Sequence, residues 1–402
     1  MLFTNPRATR APYPAELQAI MSIDRAAESR RWLSDWPGVA GPTPLRELPD
    51  LARELQVARL SVKDESMRSP LGSFKALGAP IALVRQLLRL HPGFRPEDIL
   101  AGRYADVLAD YTVITATDGN HGRSLAAAAR DAGCRCVIVL HAHVSREREA
   151  AIAAHGARIV RIAGNYDDSV EEAARLAAAN GWQVVSDTSY EGYQDIPRDV
   201  MQGYGTIAAE IAEQTGARRD GECAYTHVLL QGGVGGLAAG LASWLWEYHG
   251  ARRPDFIVVE PEQADCLLQS AIQGHAARAT GSVDSVMAGL ACGETSPLAW
   301  RFLAPGVDHF ATITDAEAVE AMRVLATGSA HDAPIVAGES GTAGLAALRA
   351  LRRQAELSAQ AGLDAHSRVL IINTEGATDP QVYEKLVGAS PTEVAKRGQV
   401  HG

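Results

Sequence analysis

The chain has 402 residues, 47% of them apolar and 21% charged, which is enough for two or three domains with real cores and too apolar for a disordered chain. Its formal charge is −10, with acids and bases interspersed; this argues against a nucleic-acid partner, and no apolar run nears the roughly 18 residues that cross a bilayer. The opening Met1-Leu2-Phe3-Thr4-Asn5-Pro6-Arg7 lacks the apolar stretch of a secretion signal, so the expected location is the cytoplasm.

Along the chain the first chemical signal is scarcity. Lysine occurs at Lys63, Lys75, Lys385 and Lys396 alone, while arginine is abundant. Arginine cannot lose its proton or form an imine and lysine can, so a chain written this way keeps Lys where an amine is needed. Lys63 falls in an apparent strand and Lys385 in a charged terminal helix, which predicts surface roles; Lys396 falls in a polar tail. Lys75 sits in Gly72-Ser73-Phe74-Lys75-Ala76-Leu77-Gly78, where small and apolar neighbours would desolvate it and lower its pKa.

Beyond Pro70 short β-branched runs alternate with alanine-rich stretches of helical length. The runs at Thr112–Thr115, Val137–Leu140, Arg158–Arg161 and Gln183–Val185 are separated by helices predicted over His121–Ala132, Ser145–His155 and Ser169–Asn180. The alternation resumes with Thr226–Gln231, Leu237–Tyr248, Phe256–Val259, Gly341–Gln354 and Val369–Asn373. This pattern means parallel sheets covered by helices. The turn-rich segment Tyr190–Pro197 between the two runs predicts a hinge, and hence two α/β lobes meeting at a cleft.

Two loops in this alternation carry chemistry. Thr117-Asp118-Gly119-Asn120-His121-Gly122 follows a strand and precedes a helix, so its backbone N–H groups could hold a carboxylate. Gln231-Gly232-Gly233-Val234-Gly235-Gly236-Leu237-Ala238 stands in the same position and reads as a phosphate cradle. By itself this second loop also satisfies a dinucleotide pattern, with Glu260 ending the next strand where it could grip a ribose, so a nicotinamide-dependent dehydrogenase is a rival reading. Gly338-Glu339-Ser340-Gly341 precedes a helix, Trp244 and Trp246, two residues apart, point to different helix sides, and Asp315–Leu325 reads as a covering helix. Five cysteines show no metal-ligand spacing and read as small buried hydrophobes, with a Cys266–Cys292 pairing left open.

Taken together, Gly72-Ser73-Phe74-Lys75, the Gly119-Asn120-His121 loop and the glycines at 232–236 resemble the fold-type-II pyridoxal-phosphate family, over roughly Lys63 to Pro380. Asp118, Asp187-Thr188-Ser189-Tyr190, Thr374-Glu375-Gly376 and Asp379-Pro380 are most similar to the branch that removes ammonia from 2,3-diaminopropionate. The resemblance implies an α/β tryptophan-synthase-β-like fold of two doubly wound three-layer lobes with pyridoxal 5'-phosphate in the cleft. It implies a large domain of residues 1–82 and 193–402, a small mobile domain of 83–192, and a homodimer acting on a small amino acid. By the same resemblance Lys75 holds the cofactor covalently, Asn120 bonds its phenolic oxygen, Gly232, Gly233, Val234, Gly235 and Gly236 bind its phosphate, and Thr374 faces the pyridine nitrogen. Phe74 and Glu339 are further candidate cofactor contacts, and Thr117, Asp118, Gly119, His121, Asp187 and Tyr190 candidate substrate contacts.

Asp118 departs from the serine that dehydratases of hydroxy amino acids carry. A carboxylate there would repel an ordinary amino acid but suits a substrate with a second cationic amine; the simpler reading is that Asp118 caps the helix near Asn120. The expected reaction is loss of both amino groups of 2,3-diaminopropionate, D or L, to give pyruvate, with Lys75 taking the α-proton and Asp118 or Asp187 serving the leaving amine. A serine or threonine dehydratase is the alternative within the family.

Overall fold

The computed structural model describes residues 1–39, 41–164 and 166–400. Its strands are β1 (Leu2–Thr4), β2 (Leu45–Glu47), β3 (Arg59–Asp64), β4 (Thr112–Ala116), β5 (Arg135–Leu140), β6 (Arg158–Arg161), β7 (Gln183–Val184), β8 (His227–Gln231), β9 (Asp255–Pro261), β10 (His309–Ile313) and β11 (Arg368–Asn373). Among the described residues they form two sheets. One has four parallel strands in the order β6-β5-β4-β7. The other has seven, ordered β1-β10-β9-β8-β11-β3-β2, parallel except at the short antiparallel edges β1 and β2. Covered on both faces, the parallel strands are continuous apolar runs, such as Val228-Leu229-Leu230 and Phe256-Ile257-Val258-Val259, all buried.

Sheet membership follows the two runs of alternation in the sequence, with β4 to β7 in one sheet and the remaining strands in the other. Apolar packing does not respect that division. A single cluster of buried side chains runs from Leu83 and Leu87 through Leu125 and Ile138 to Val200, Val228 and Phe256. Helix Ala79–Leu90 is its keystone, packed between helix Asn120–Ala132 and helix Asp195–Gln214. No helix of the described residues is long and apolar enough to cross a membrane.

Three expectations are corrected. Tyr190–Pro197 is not a hinge throughout: Tyr190 and Tyr193 close a tight turn, and a 20-residue helix begins at Asp195. Pro197 is tolerated because the first-turn N–H groups of a helix have no intrahelical acceptor. Lys63 is fully buried, with Nζ donating to Glu210 Oε2 at 2.7 Å, Thr43 O at 2.8 Å and Gln214 Oε1 at 3.0 Å. A strand covered on both faces gives a cation no solvent, so helix Asp195–Gln214 supplies the counter-charge. Lys396 lies in a helix, Pro391–Val400, rather than a loose tail.

Candidate active site

Parallel strands aim their carboxyl ends at one crevice, and the candidate residues come from those ends. Thr117, Asp118 and Gly119 follow β4, Asp187 follows β7, Gln231 to Gly236 follow β8, and Thr374 and Glu375 follow β11; all of these except Gly235 line one cleft with Phe74, Lys75, Asn120 and His121.

Lys75 stands on a 3-10 turn, Phe74–Leu77, entered through Ser73, whose hydroxyl accepts from Lys75 N. The turn is pinned on three sides. Phe74 N donates to Thr374 O at 3.0 Å, Ser124 Oγ donates to Lys75 O at 2.9 Å, and the Phe74 ring tilts onto Tyr204 at 4.8 Å. Helix Asp195–Gln214 approaches so closely that a Cβ at Gly203 would lie 1.9 Å from Leu77 O, which only glycine avoids.

The Lys75 ammonium donates to Asp187 Oδ2 at 2.5 Å. Burial works to lower its proton affinity, as the sequence predicts, but attraction to Asp187, with Tyr204 adding to it, outweighs burial and raises the pKa instead. Asp187 responds in the opposite sense: burial would raise its pKa, and Lys75 followed by His121 holds it well below the usual carboxylate range. His121 is lowered by burial, its Nε2 held 2.8 Å from Val185 O. Its Nδ1, 3.8 Å from Asp187 Oδ2, has no hydrogen-bond partner among the described residues.

Opposite Lys75, the glycine loop turns β8 into helix Gly236–His249. Gly233 and Gly235 have φ of +59° and +100°, in the left-handed region that favours glycine, and a Cβ at Gly232 would fall 2.6 Å from Glu260 Cγ. Gly235 N closes the turn onto Gly232 O, whereas the N–H groups of Gly233, Val234, Gly236 and Leu237 form no hydrogen bond among the described residues. A row of bare donors at a helix start fits a phosphate, and an amine on the same cleft fits an aldehyde. The residues present therefore fit pyridoxal phosphate.

Other candidates are placed less directly. Asp118 does not cap the following helix; Gly119 is its N-cap, and Asp118 Oδ1 instead meets His141 Nε2 at 2.6 Å. Asn120 donates to Glu375. Gly235, Glu339 and Tyr190 lie outside the lining: Gly235 faces Leu303, Glu339 is buried behind Ser340, and Tyr190 is half exposed and stacked on Tyr193. Burial, then Glu375, pushes Glu339 up to about 7, while Arg148 at 3.9 Å pulls the other way.

Glu260 is not available to a ribose. It is fully buried and accepts from Leu267 N and Leu268 N, both at 2.8 Å, at the start of helix Cys266–Gln273. Cys266 and Cys292 are free thiols, and Cys292 lines the cleft with its pKa raised by burial. Tyr204, Arg148 and Tyr166 also line the cleft without belonging to any sequence motif, as do Cys292 and Ser340, whose motifs gave them no place in the site; His141 lies just behind the lining. His141 alone left a signal, as the first residue after a strand.

A family model described as pyridoxal-phosphate dependent enzyme matches residues 38–375. The chain is 38% identical over 387 residues to the diaminopropionate ammonia-lyase of Escherichia coli (strain K12), covering 95% of this chain and 96% of that relative. Its backbone superposes on the crystal structure of the Escherichia coli diaminopropionate ammonia lyase in complex with D-serine with a TM-score of 0.86, at 36% identity over 96% of both chains. The same lyase in complex with an aminoacrylate-PLP azomethine reaction intermediate gives 0.85, again at 36% identity over 96% of both chains.

Proposed function

The chain belongs to the pyridoxal-phosphate-dependent enzymes, and from that premise we propose that it is an ammonia-lyase for D- and L-2,3-diaminopropionate, releasing pyruvate and two ammonia. Its identity to the Escherichia coli lyase supports this, and one observation carries it: Asp118 lines the cleft that holds Lys75 and the glycine loop.

Bound pyridoxal phosphate supplies an electron sink for the substrate's α-carbon. Gly233, Val234, Gly236 and Leu237 would give their N–H groups to its phosphate, with Gly232 and Gly235 shaping the turn. Lys75 would hold the aldehyde, and its amine, when free, would be placed to take the substrate's α-proton. Thr374 would offer the ring nitrogen a neutral hydroxyl, Asn120 would serve the ring hydroxyl and Phe74 would brace the ring, with Glu339 acting from outside the lining beside Arg148. Thr117, Gly119 and His121 receive the substrate carboxylate.

Asp118 receives the β-ammonium. An opposite charge raises an amine's pKa, so this pairing keeps the leaving group protonated and no second acid is required. Asp187, held ionised beside the free Lys75 ammonium, would keep a positive charge on that nitrogen; Tyr190 closes the loop behind it. For the D isomer Asp118 takes the α-proton from its own side of the cleft. Residues 83–192 act as a small lobe that closes on residues 1–82 and 193–402, excluding water until elimination is complete. The working form is a homodimer in the cytoplasm; sedimentation of the purified enzyme checks the dimer.

The test is keto-acid release by the holoenzyme from 2,3-diaminopropionate, L-serine and L-threonine, with the visible band of the cofactor followed in parallel. The diamino acid should be the best substrate, Lys75→Ala should lose activity and the covalent band, and Asp118→Asn should lower kcat/KM for the diamino acid on the order of 100-fold. Preference for serine or threonine would instead make the chain a dehydratase.

A further inference from the structure

His141 touches no cleft surface, yet it is nine-tenths buried and its one side-chain hydrogen bond among the described residues goes to Asp118. The fold brings the two together. β4 and β5 are parallel neighbours with Ala116 opposite Val139, so Asp118, two residues beyond β4, and His141, first beyond β5, leave adjacent strands side by side. The 2.6 Å separation of His141 Nε2 from Asp118 Oδ1 is short, as charge-assisted hydrogen bonds are. The imidazole packs edge-on against Tyr166, with ring centroids 6.3 Å apart, and tilted against His143 at 5.8 Å. Asp118 itself is 27% exposed and does not cap the following helix, which leaves the hydrogen bond to His141 as the contact that orients its carboxylate.

We propose that His141 is a positioning residue for Asp118: its Nε2–H holds Oδ1, so that Oδ2 is the oxygen presented to the substrate's β-ammonium. A charged side chain that selects a substrate must be held to within a fraction of an ångström, and an outer residue locked by packing does this for the one in front. Discrimination between a diamino acid and a hydroxy amino acid then depends on a residue that touches neither. This inference rests on the reading that Asp118 receives the ammonium.

The experiment measures kcat and KM of the holoenzyme for 2,3-diaminopropionate, and the affinity for L-serine read as turnover or as competitive inhibition, in His141→Leu, His141→Gln and Asp118→Asn. Glutamine can place an amide N–H near the Nε2 position and leucine cannot. His141→Leu should lower kcat/KM for the diamino acid roughly 10- to 100-fold, mainly through KM. Its effect on L-serine should stay within about threefold, the size of an incidental change in packing. His141→Gln should recover most of the loss, and an unchanged visible band in each variant shows that fold and cofactor site are intact. Equal losses on both substrates, no recovery with glutamine, or no loss with leucine would each overturn the inference. If Asp118→Asn also leaves the diamino acid unaffected, the reading of Asp118 itself has failed; if Asp118→Asn costs activity and His141→Leu does not, only the present inference falls.

Discussion

At the scale of single residues, local sequence gives an incomplete account of charge. The neighbours of Lys75 are apolar and small, which predicts a depressed pKa, but its proton affinity is set by Asp187, 112 residues away along the chain. Glu260 shows the converse. It accepts two backbone N–H groups, which favour its charged form, yet burial outweighs them and pushes its pKa up to about 8. A carboxyl with a raised folded-state pKa contributes stability that is full below its ordinary value near 4.3 and is lost as pH rises through about 8, because over that window the folded state binds the extra proton. The urea midpoint of the cofactor-free protein should therefore fall from pH 5 to pH 8 more steeply in the wild type than in Glu260→Gln. Identical slopes in the two proteins would refute the assignment.

At the scale of elements, two helix starts are tied to each other across the two sheets. Ser145 accepts from Arg148 N at 3.2 Å and so caps helix Arg146–Ala153, while its own hydroxyl donates to Asp379 Oδ2 at 2.7 Å. The other oxygen of Asp379 caps helix Pro380–Val387 through Val382 N. The link between them is not legible in the sequence, because they lie 234 positions apart. Two substitutions divide the roles. Ser145→Ala removes cap and bridge, so it should lower stability by about 1 kcal/mol and raise KM several-fold as the small lobe loses its catch. Ser145→Asp keeps a capping oxygen but repels Asp379, so thermal stability should be retained while KM still rises. An unchanged KM in Ser145→Asp would mean that the bridge plays no part in closure.

At the scale of the whole molecule, two sheets do not make two independent folding units. The shared cluster from Leu83 to Phe256, with helix Ala79–Leu90 at its centre, means that neither lobe can shed its inner face without exposing the other's. Chemical unfolding of the cofactor-free protein should give coincident transitions by far-ultraviolet circular dichroism and by tryptophan fluorescence, since Trp182 belongs to one lobe and Trp244, Trp246 and Trp300 to the other. A separate early transition would show that the lobes unfold independently. The closure proposed above would then take place by small rotations about a continuous core rather than by a free hinge, in keeping with the helix found where the sequence predicts turns at 195–197.

The sequence by itself determined the alternation of strands and helices, the parallel sheets, the amine and the glycine loop. These are local properties: strand patterning, helix starts, positive-φ glycines and the imine chemistry of lysine are written within a few residues of one another. Tertiary structure alone decided the ionisation of Lys75, the burial of Lys63 against Glu210, the withdrawal of Glu260 from any ligand and the partnership of Asp118 with His141. Each depends on which strand ends become neighbours and on how much water is left between them, and no run of sequence encodes a distance between parts of the chain that meet only when folded.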